Sequence, residues 1–510
     1  MKKIMSLLLA LATVLSLTVL AAATVSADGV AAAANAVFVA NSGDDAAAGT
    51  KDAPVKTLAK AIEKLPNGGV AVLIGAVTIE TPADKSHNIM PAHSGTITLT
   101  SYYDGVDYRN TKYGSEALVP CLDLRNGVYS LDFHGDIVMD YLRINVGVSD
   151  STDKPIANAL ITMDYHNLTV TANVETTYLY ANGNPVDPAK FDQTYYSTDK
   201  STTNARNYPP IILMGQNANN KVSGGTLTPD PDPDAPQGGE TITRDVTVSV
   251  AGGVWQSVRI GDRDLKDTNT LDMHATINIS GGTYTVWTGD PVPANMNVMG
   301  VAQAATTANY VCDINITGGT FFGEIAGFGM PGAVVQPERV QKGTVNINIL
   351  GGNFIRNYGS QIAFVFAASS GKAGAQSFDG AKANIVIDPT KITLADRMTV
   401  ATLKDTAGLT ATLTLSSASD KIGYFLDGEK DQNKYSVFEG LTATIDPNAG
   451  STAAPTNPTP TNPTPTNPTP TNPTPTNPTP ATGSATVLVA VIAVLAGSGA
   501  FLALRKREDR

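Results

Sequence analysis

The sequence predicts an all-β solenoid, a stack of parallel β coils, and three features of its middle carry that expectation. Four ten-residue segments align without gaps: Val246 to Trp255, Ala275 to Tyr284, Cys312 to Phe321 and Val345 to Phe354. Each alternates apolar and polar residues, which is the period of a strand with one buried face. Each then closes on a Gly-Gly pair followed by an aromatic residue, and the pairs recur at intervals of 29, 37 and 33 residues. A fixed motif with variable insertion is how a solenoid reads, with one coil per unit and the extra length in loops.

Within the unit, Val248/Val250, Ile277/Ile279, Ile314/Ile316 and Ile347/Ile349 fall on one face, and Ser249, Asn278, Asn315 and Asn348 on the other. The glycine pair lets the chain turn a tight corner. Stacking would set Trp255, Tyr284, Phe321 and Phe354 in a ladder about 4.8 Å per step. Such a ladder serves as an internal core stack or as an outward platform for sugar rings, the first being the ordinary use. The Ser/Asn row reads as a solvated face or as a ligand surface.

The N-terminal part of the body has a different pattern. Val37 to Val39 is a short strand, Ser42-Gly43-Asp44-Asp45 and Gly49-Thr50 are turn residues, and Leu58, Ile62 and Leu65 share one face of a short helix. Pro66-Asn67-Gly68-Gly69 stops that helix before an apolar strand from Val70 to Ile79. This arrangement resembles the N-terminal cap of right-handed parallel β-helix proteins of the pectate-lyase-like class, in which a short amphipathic helix covers the open end of the stack. An uncovered terminal coil would expose unpaired backbone groups and the core. Gly95 to Ser101, Ile137 to Val146 and Leu160 to Val170 read as preceding coils, and Ser223 to Glu240 as a protruding loop. The repeat fades after residue 394. The domain reading is therefore a β-helix over 28–394 and a C-terminal β cap or small β domain over 395–450.

Both ends point outside the cell. Lys2-Lys3, an apolar run from Ile4 to Leu20 and the small-x-small site Val25-Ser26-Ala27 are the three parts of a secretory signal over 1–27, with cleavage expected after Ala27. Thr456 to Pro480 is five copies of Thr-Asn-Pro-Thr-Pro. Within a linker over 451–480, this is an extended spacer reaching on the order of 80 Å. Thr486 to Leu504 is apolar and about long enough for a bilayer core, and Arg505-Lys506-Arg507 follows it. Just before that stretch stands Pro480-Ala481-Thr482-Gly483. The segment 480–510 resembles the cell-wall sorting signal of Gram-positive surface proteins. That resemblance implies a sortase cutting between Thr482 and Gly483 and joining Thr482 to peptidoglycan. Thr479 departs from the commonest form, which has Leu there. A plain single-pass membrane anchor is the alternative.

Charge and composition narrow the partners. The chain carries a net charge of −11, with +2 on each end and −15 between them, which disfavours nucleic acid and anionic membrane surfaces. Cys121 and Cys312 are too far apart to imply a scaffold and read as buried free thiols. The five histidines are scattered, so no histidine metal constellation is legible. The Asn-Thr-Asp, Gly-His-Gly and Arg-Ile-Lys elements of galacturonan hydrolases do not occur, nor does the Arg-x-Pro-x-x-Arg element of pectate lyases. The resemblance supports a scaffold and withholds an activity.

One cluster remains. Past each aromatic a second turn carries Gly261-Asp262 and Gly289-Asp290, with Glu324 before Gly327. Stacked in register, Asp262, Asp290 and Glu324 would lie on one edge with Arg259 and Arg263 beside them. Such acids are candidates for glycoside hydrolysis or for holding Ca²⁺, or are solvated turn residues. The expectation is an envelope-anchored surface protein, adhesive, glycan-binding or structural, meeting a glycan or host-surface ligand. A polysaccharide lyase or glycoside hydrolase is the alternative. An outward cleft with clustered carboxylates and Arg or Lys would favour the enzyme, and a flat face of Asn, Thr and Ser the binder.

Overall fold

Strands with one apolar face bury it best by stacking coil on coil, so that the faces close around a shared core. The computed structural model follows that rule. It describes residues 35–79, 87–124, 130–149, 159–180, 206–207, 209–218, 221–223, 226–228, 234, 236–263, 265–284, 296–302, 305–329, 339–355, 362–368, 376–395, 397–403, 407–424, 435–436, 444–447 and 449. Among these residues a single short helix accompanies strands throughout. The architecture is all-β with long parallel sheets, compatible with a parallel β-helix.

The first long sheet has twelve strands among the described residues, from Ala36–Val39 to Thr444–Ile445. The second has eleven, ten in parallel order from His87–Ile89 to Ile422–Tyr424 and Tyr435–Ser436 antiparallel beside Arg397–Leu403. From Gly69–Leu73 to Arg397–Leu403 each coil visits the first long sheet, then a short sheet, then the second long sheet. Strand Val246–Val250, for example, is followed by Val254–Trp255 and then Ser257–Arg259.

The register is the sequence alignment itself. Val246, Ala275, Cys312 and Val345 pair in one row, Val248, Ile277, Ile314 and Ile347 in the next, and Val250, Ile279, Ile316 and Ile349 in a third. All twelve side chains are buried in one continuous core. Burying each Ile contributes about 1.5–3 kcal/mol relative to exposure.

The glycine pairs do two different jobs. A Cβ on the first glycine, at Gly281, Gly318 or Gly351, would lie 2.2 Å from a backbone oxygen of the coil below, so only glycine permits that approach. The second takes the left-handed conformation, with φ +82° at Gly282 and +96° at Gly319. The turn drives the next aromatic inward. Trp255, Tyr284, Phe321 and Phe354 are buried, and the Tyr284–Phe321 and Phe321–Phe354 rings stack at 4.8 and 4.9 Å. The ladder is a core stack, so the outward sugar platform is ruled out for these four rings.

At the start of the body, helix Leu58–Glu63 is capped by Thr57, whose hydroxyl accepts from Lys60 N at 3.1 Å. Leu58, Ala61 and Ile62 join the core. At the other end the parallel stacking carries on past residue 394. Arg397–Leu403 extends the second long sheet, and Leu409–Leu415 pairs residue for residue with Ala381–Ile387 in the first. Here the apolar alternation persists while the glycine pair and aromatic that mark the earlier coils are gone. Cys121 and Cys312 are both buried and not joined in a disulfide, and burial pushes the Cys312 thiol up to about 12.

All described residues belong to the compact unit Met1–Ala454. The signal segment 1–27, the spacer 451–480, the sorting motif, the apolar stretch 486–504 and Asp290 lie outside the described residues. Among the described residues no helix is long and apolar enough to cross a membrane.

Candidate functional site

The residues that alternate with the core face of the first long sheet point outward and form two polar rows. One runs Ser249, Asn278, Asn315, Asn348, and the other Thr247, Thr276, Asp313, Asn346, Asn384, Thr412. Because coils stack in exact register, each amide meets its counterpart. Asn278 Nδ2 points to Ser249 Oγ at 3.4 Å, Asn315 Nδ2 donates to Asn278 Oδ1 at 3.0 Å, and Asn348 Nδ2 to Asn315 Oδ1 at 2.9 Å. In the second row Asn346 Nδ2 donates to Asp313 Oδ1 at 2.7 Å, Asn384 Nδ2 to Asn346 Oδ1 at 2.9 Å, and Thr412 Oγ1 to Asn384 Oδ1 at 3.1 Å. Asp313, the one charge in these rows, also pairs with His274 Nε2 at 2.8 Å. The result is a face of amides and hydroxyls whose orientations are fixed by one another.

A second polar assembly forms where the chain turns from the second long sheet into the first. Its corners bring His93, His134 and His166 together with Asp136, Asp164 and Asp262, although the three histidines stand 41 and 32 residues apart in the chain. His134 Nδ1 donates to Asp164 Oδ2 at 2.9 Å, and Gln216 Nε2 donates to Asp164 Oδ1 at 2.8 Å. The bond to Asp164 raises the His134 pKa above its ordinary value. Burial pushes Asp164 upward, but His134 and Gln216 outweigh it and hold its carboxyl below the usual range. Asp136 is likewise held low against burial, by His166, by Asn167 N and Nδ2 at 2.9 and 3.1 Å, and by Arg244 Nη2 at 2.7 Å.

Beneath these groups Asp262 is fully buried, accepting from Tyr165 Oη at 2.6 Å and Gln216 N at 2.7 Å, and burial raises its pKa to about 7. His93 Nδ1 donates to the Gly95 carbonyl at 2.6 Å, and burial lowers its pKa. Asp164 and Tyr165 hold φ of +43° and +57°, a conformation costing about 1–2 kcal/mol per non-glycine residue. The corner therefore holds Asp164 ionised and Asp262 near neutrality, a divergence of the kind that separates a base from an acid. Asp262, however, has no exposed surface through which to touch a substrate.

The structure distributes the sequence's site residues. Asp262 is the floor of the corner, and Arg263 lies beside Asn217 in the same stack. Arg259 and Glu324 are buried on the outward rows of the second long sheet, Arg259 opposite Met299 and Glu324 opposite Met296, with Arg259 Nε donating to Ser257 Oγ at 2.8 Å. They do not share an exposed edge with Asp262, because the corner turn carries Asp262 off the sheet that holds the other two. Among the described residues no three His, Cys, Asp or Glu side chains converge to hold a metal ion.

Near the helix, His87, Ser130 and Asp132 form a further buried group. His87 Nδ1 contacts Asp132 Oδ2 at 2.5 Å, and the Ser130 hydroxyl is bonded to the Asp132 carboxylate and lies 2.7 Å from Thr162 Oγ1. Nucleophilic activation needs the serine on the histidine. Here it donates to the acid, and the trio reads as a structural network. No protein-family model, curated protein or solved structure matches the chain.

Proposed function

We propose that the chain is an envelope-anchored surface protein that presents a right-handed parallel β-helix, capped at its first coil by the short helix, for contact with glycans. The secretory signal ending at Ala27 supports export. The Thr-Asn-Pro-Thr-Pro spacer, Pro480-Ala481-Thr482-Gly483 and the apolar span after it support anchoring by a sortase to peptidoglycan. The observation that carries the binding half is the outward face of the first long sheet, where rows of Asn, Thr and Ser are held by their own hydrogen bonds. Amides and hydroxyls in fixed orientation are the groups that recognise sugar hydroxyls.

Two measurements test the two halves. Thr482→Ala should shift the protein from the wall fraction into the medium or the membrane, and unchanged wall attachment would overturn the sorting reading. The purified full chain should bind members of a glycan array, and silence across the array would overturn the binding reading. A polysaccharide-cleaving activity is the second reading, favoured by the partly exposed His134–Asp164 pair at the corner, 2.9 Å apart; Asp262 lies buried beneath it and would not touch a substrate. It predicts new reducing ends or unsaturated uronates when the chain is incubated with polysaccharides, with and without Ca²⁺.

A further inference from the structure

We propose that the partner of the amide face is the flat surface of an insoluble, uncharged polysaccharide, in preference to a single soluble glycan chain. This rests on the glycan-contact reading above and names the substrate class of that face.

The hydrogen-bond inventory gives the first step. An asparagine amide has two N–H groups and an oxygen with two lone pairs. Asn278 donates to Ser249 and accepts from Asn315, which leaves one N–H and one lone pair, and Asn346 is used in the same way by Asp313 and Asn384; Asn315 between Asn278 and Asn348 is buried and serves to hold its neighbours. Those remaining groups repeat at about 4.8 Å from coil to coil, and the two rows stand two residues apart, about 6.6 Å. The face thus offers a two-dimensional lattice of donors and acceptors, preorganised by the ladder.

Charge gives the second step. The body carries −15, yet these rows hold one carboxylate, and Asp313 is already engaged by His274 and Asn346. A neutral patch on an acidic protein fits a neutral polymer and gives no attraction to a uronate.

Aromatic placement gives the third. Trp255, Tyr284, Phe321 and Phe354 are all inside the core, so a sugar ring lying on this face gains no stacking from them. Each neutral hydrogen bond exchanged with water contributes little. A soluble oligosaccharide crossing a few coils collects few such contacts. An ordered surface of hydroxyls meets both rows along their whole length at once, and its contacts add as intramolecular events.

The experiment is co-sedimentation of the full chain with microcrystalline cellulose and with crystalline chitin powder, using cellohexaose and chitohexaose as soluble competitors. At least one powder should deplete the chain, with the matching hexaose displacing less than a tenth of it at millimolar concentration. The double variant Thr247→Lys, Thr276→Lys adds charge and bulk beside the ladder without removing a ladder hydrogen bond, and should partition at least tenfold less while keeping the far-ultraviolet circular dichroism of the parent. Full displacement by the hexaose, or unchanged sedimentation of the variant, would overturn the proposal. Binding to soluble glycans on the array without binding to either powder would remove this inference and leave glycan contact standing. Binding to neither would remove both.

Discussion

Ile314 sits at the centre of the core stack, and its removal is the most direct test of how the coils are held. It is fully buried between Ile277 and Ile347 in the same inward row. Across the core the second long sheet offers it Gly300, where an added Cβ would lie 3.3 Å from Ile314 Cδ1. Ile314→Ala deletes three carbons, worth about 2.4 kcal/mol at ~0.8 kcal/mol each. The hole opens toward a glycine that has no side chain to move into it, and the hydrogen-bonded register on both sides prevents the coils from closing up. The cost should therefore fall in the upper half of the usual range, about 4 kcal/mol. Gly300→Ala alone should cost about 1–3 kcal/mol by overpacking. The double variant should recover part of the sum, at least ~1 kcal/mol, since the new methyl enters the space Ile314 vacates. Recovery is partial because that Cβ would still lie 2.7 Å from the Gly327 carbonyl. Urea unfolding followed by emission from buried Trp255, with hydrogen exchange of the 311–316 strand as a local readout, measures all three. A cost of ~1 kcal/mol or less for Ile314→Ala, or strict additivity in the double variant, would refute this packing.

Two further perturbations separate effects that the structure sets side by side. Gly380 has φ +70° with open space around it, whereas a Cβ at Gly281 would lie 2.2 Å from the Ala251 carbonyl. Gly380→Ala should cost only the left-handed penalty, about 1–2 kcal/mol, whereas Gly281→Ala carries no such penalty but meets a backbone carbonyl that cannot move aside, and should cost about 3 kcal/mol or more; equal melting temperatures would contradict the close approach. At the corner, the raised His134 pKa means that its bond to Asp164 stabilises fully below pH 6.5 and is lost as pH rises through the folded value. Asp164, held low, contributes above pH 3.8 and loses that contribution as pH falls through its folded value, so the pair is strongest between those limits. His93 opposes it, because burial favours its neutral ring and acidification below 6.5 works against the fold. Asp164→Asn should bring the His134 titration, read from its ring-proton resonances, down toward 6.5. A titration unmoved by that change would deny the pairing.

What was legible in the sequence follows from what repeats in it. The coils from Val246 to Phe354 announce themselves because alternation, glycine pair and aromatic recur together, and their gapless alignment is the observed pairing register. The coils at Ala381–Ile387 and Leu409–Leu415 keep the alternation alone, so a motif search stops at Phe354, two turns early, even though Ile385, Ile387, Leu413 and Leu415 reach the same core. The corner was not legible at all. His93, His134 and His166 are separated by strands and turns of unequal length, and only the stacking of coils converts those separations into neighbouring levels. The acid-edge expectation failed to gather Asp262 with Glu324 for a related reason. Asp262 stands seven residues past Trp255, in the corner turn after its strand, whereas Glu324 stands only three past Phe321 and opens the strand Glu324–Phe328, so stacking the coils puts them at different places.

The same register fixes both faces of the first long sheet, and this ties the outward surface to the core. Side chains alternate, so a slip of one residue between coils would bring Asn315 inward and Ile316 outward. Burial of the isoleucines forbids that slip, and the amides are stacked as a consequence. Their hydrogen bonds then work in the same direction, since Asn315 reaches Asn278 and Asn348 only in the register that also stacks Ile314 on Ile277 and Ile347. An ordered lattice on the outside therefore needs no separate device to position it. It also follows that the face is rigid along its length wherever the core beneath it is continuous. Substitutions that loosen the inward row should blur the outward one before the fold is lost.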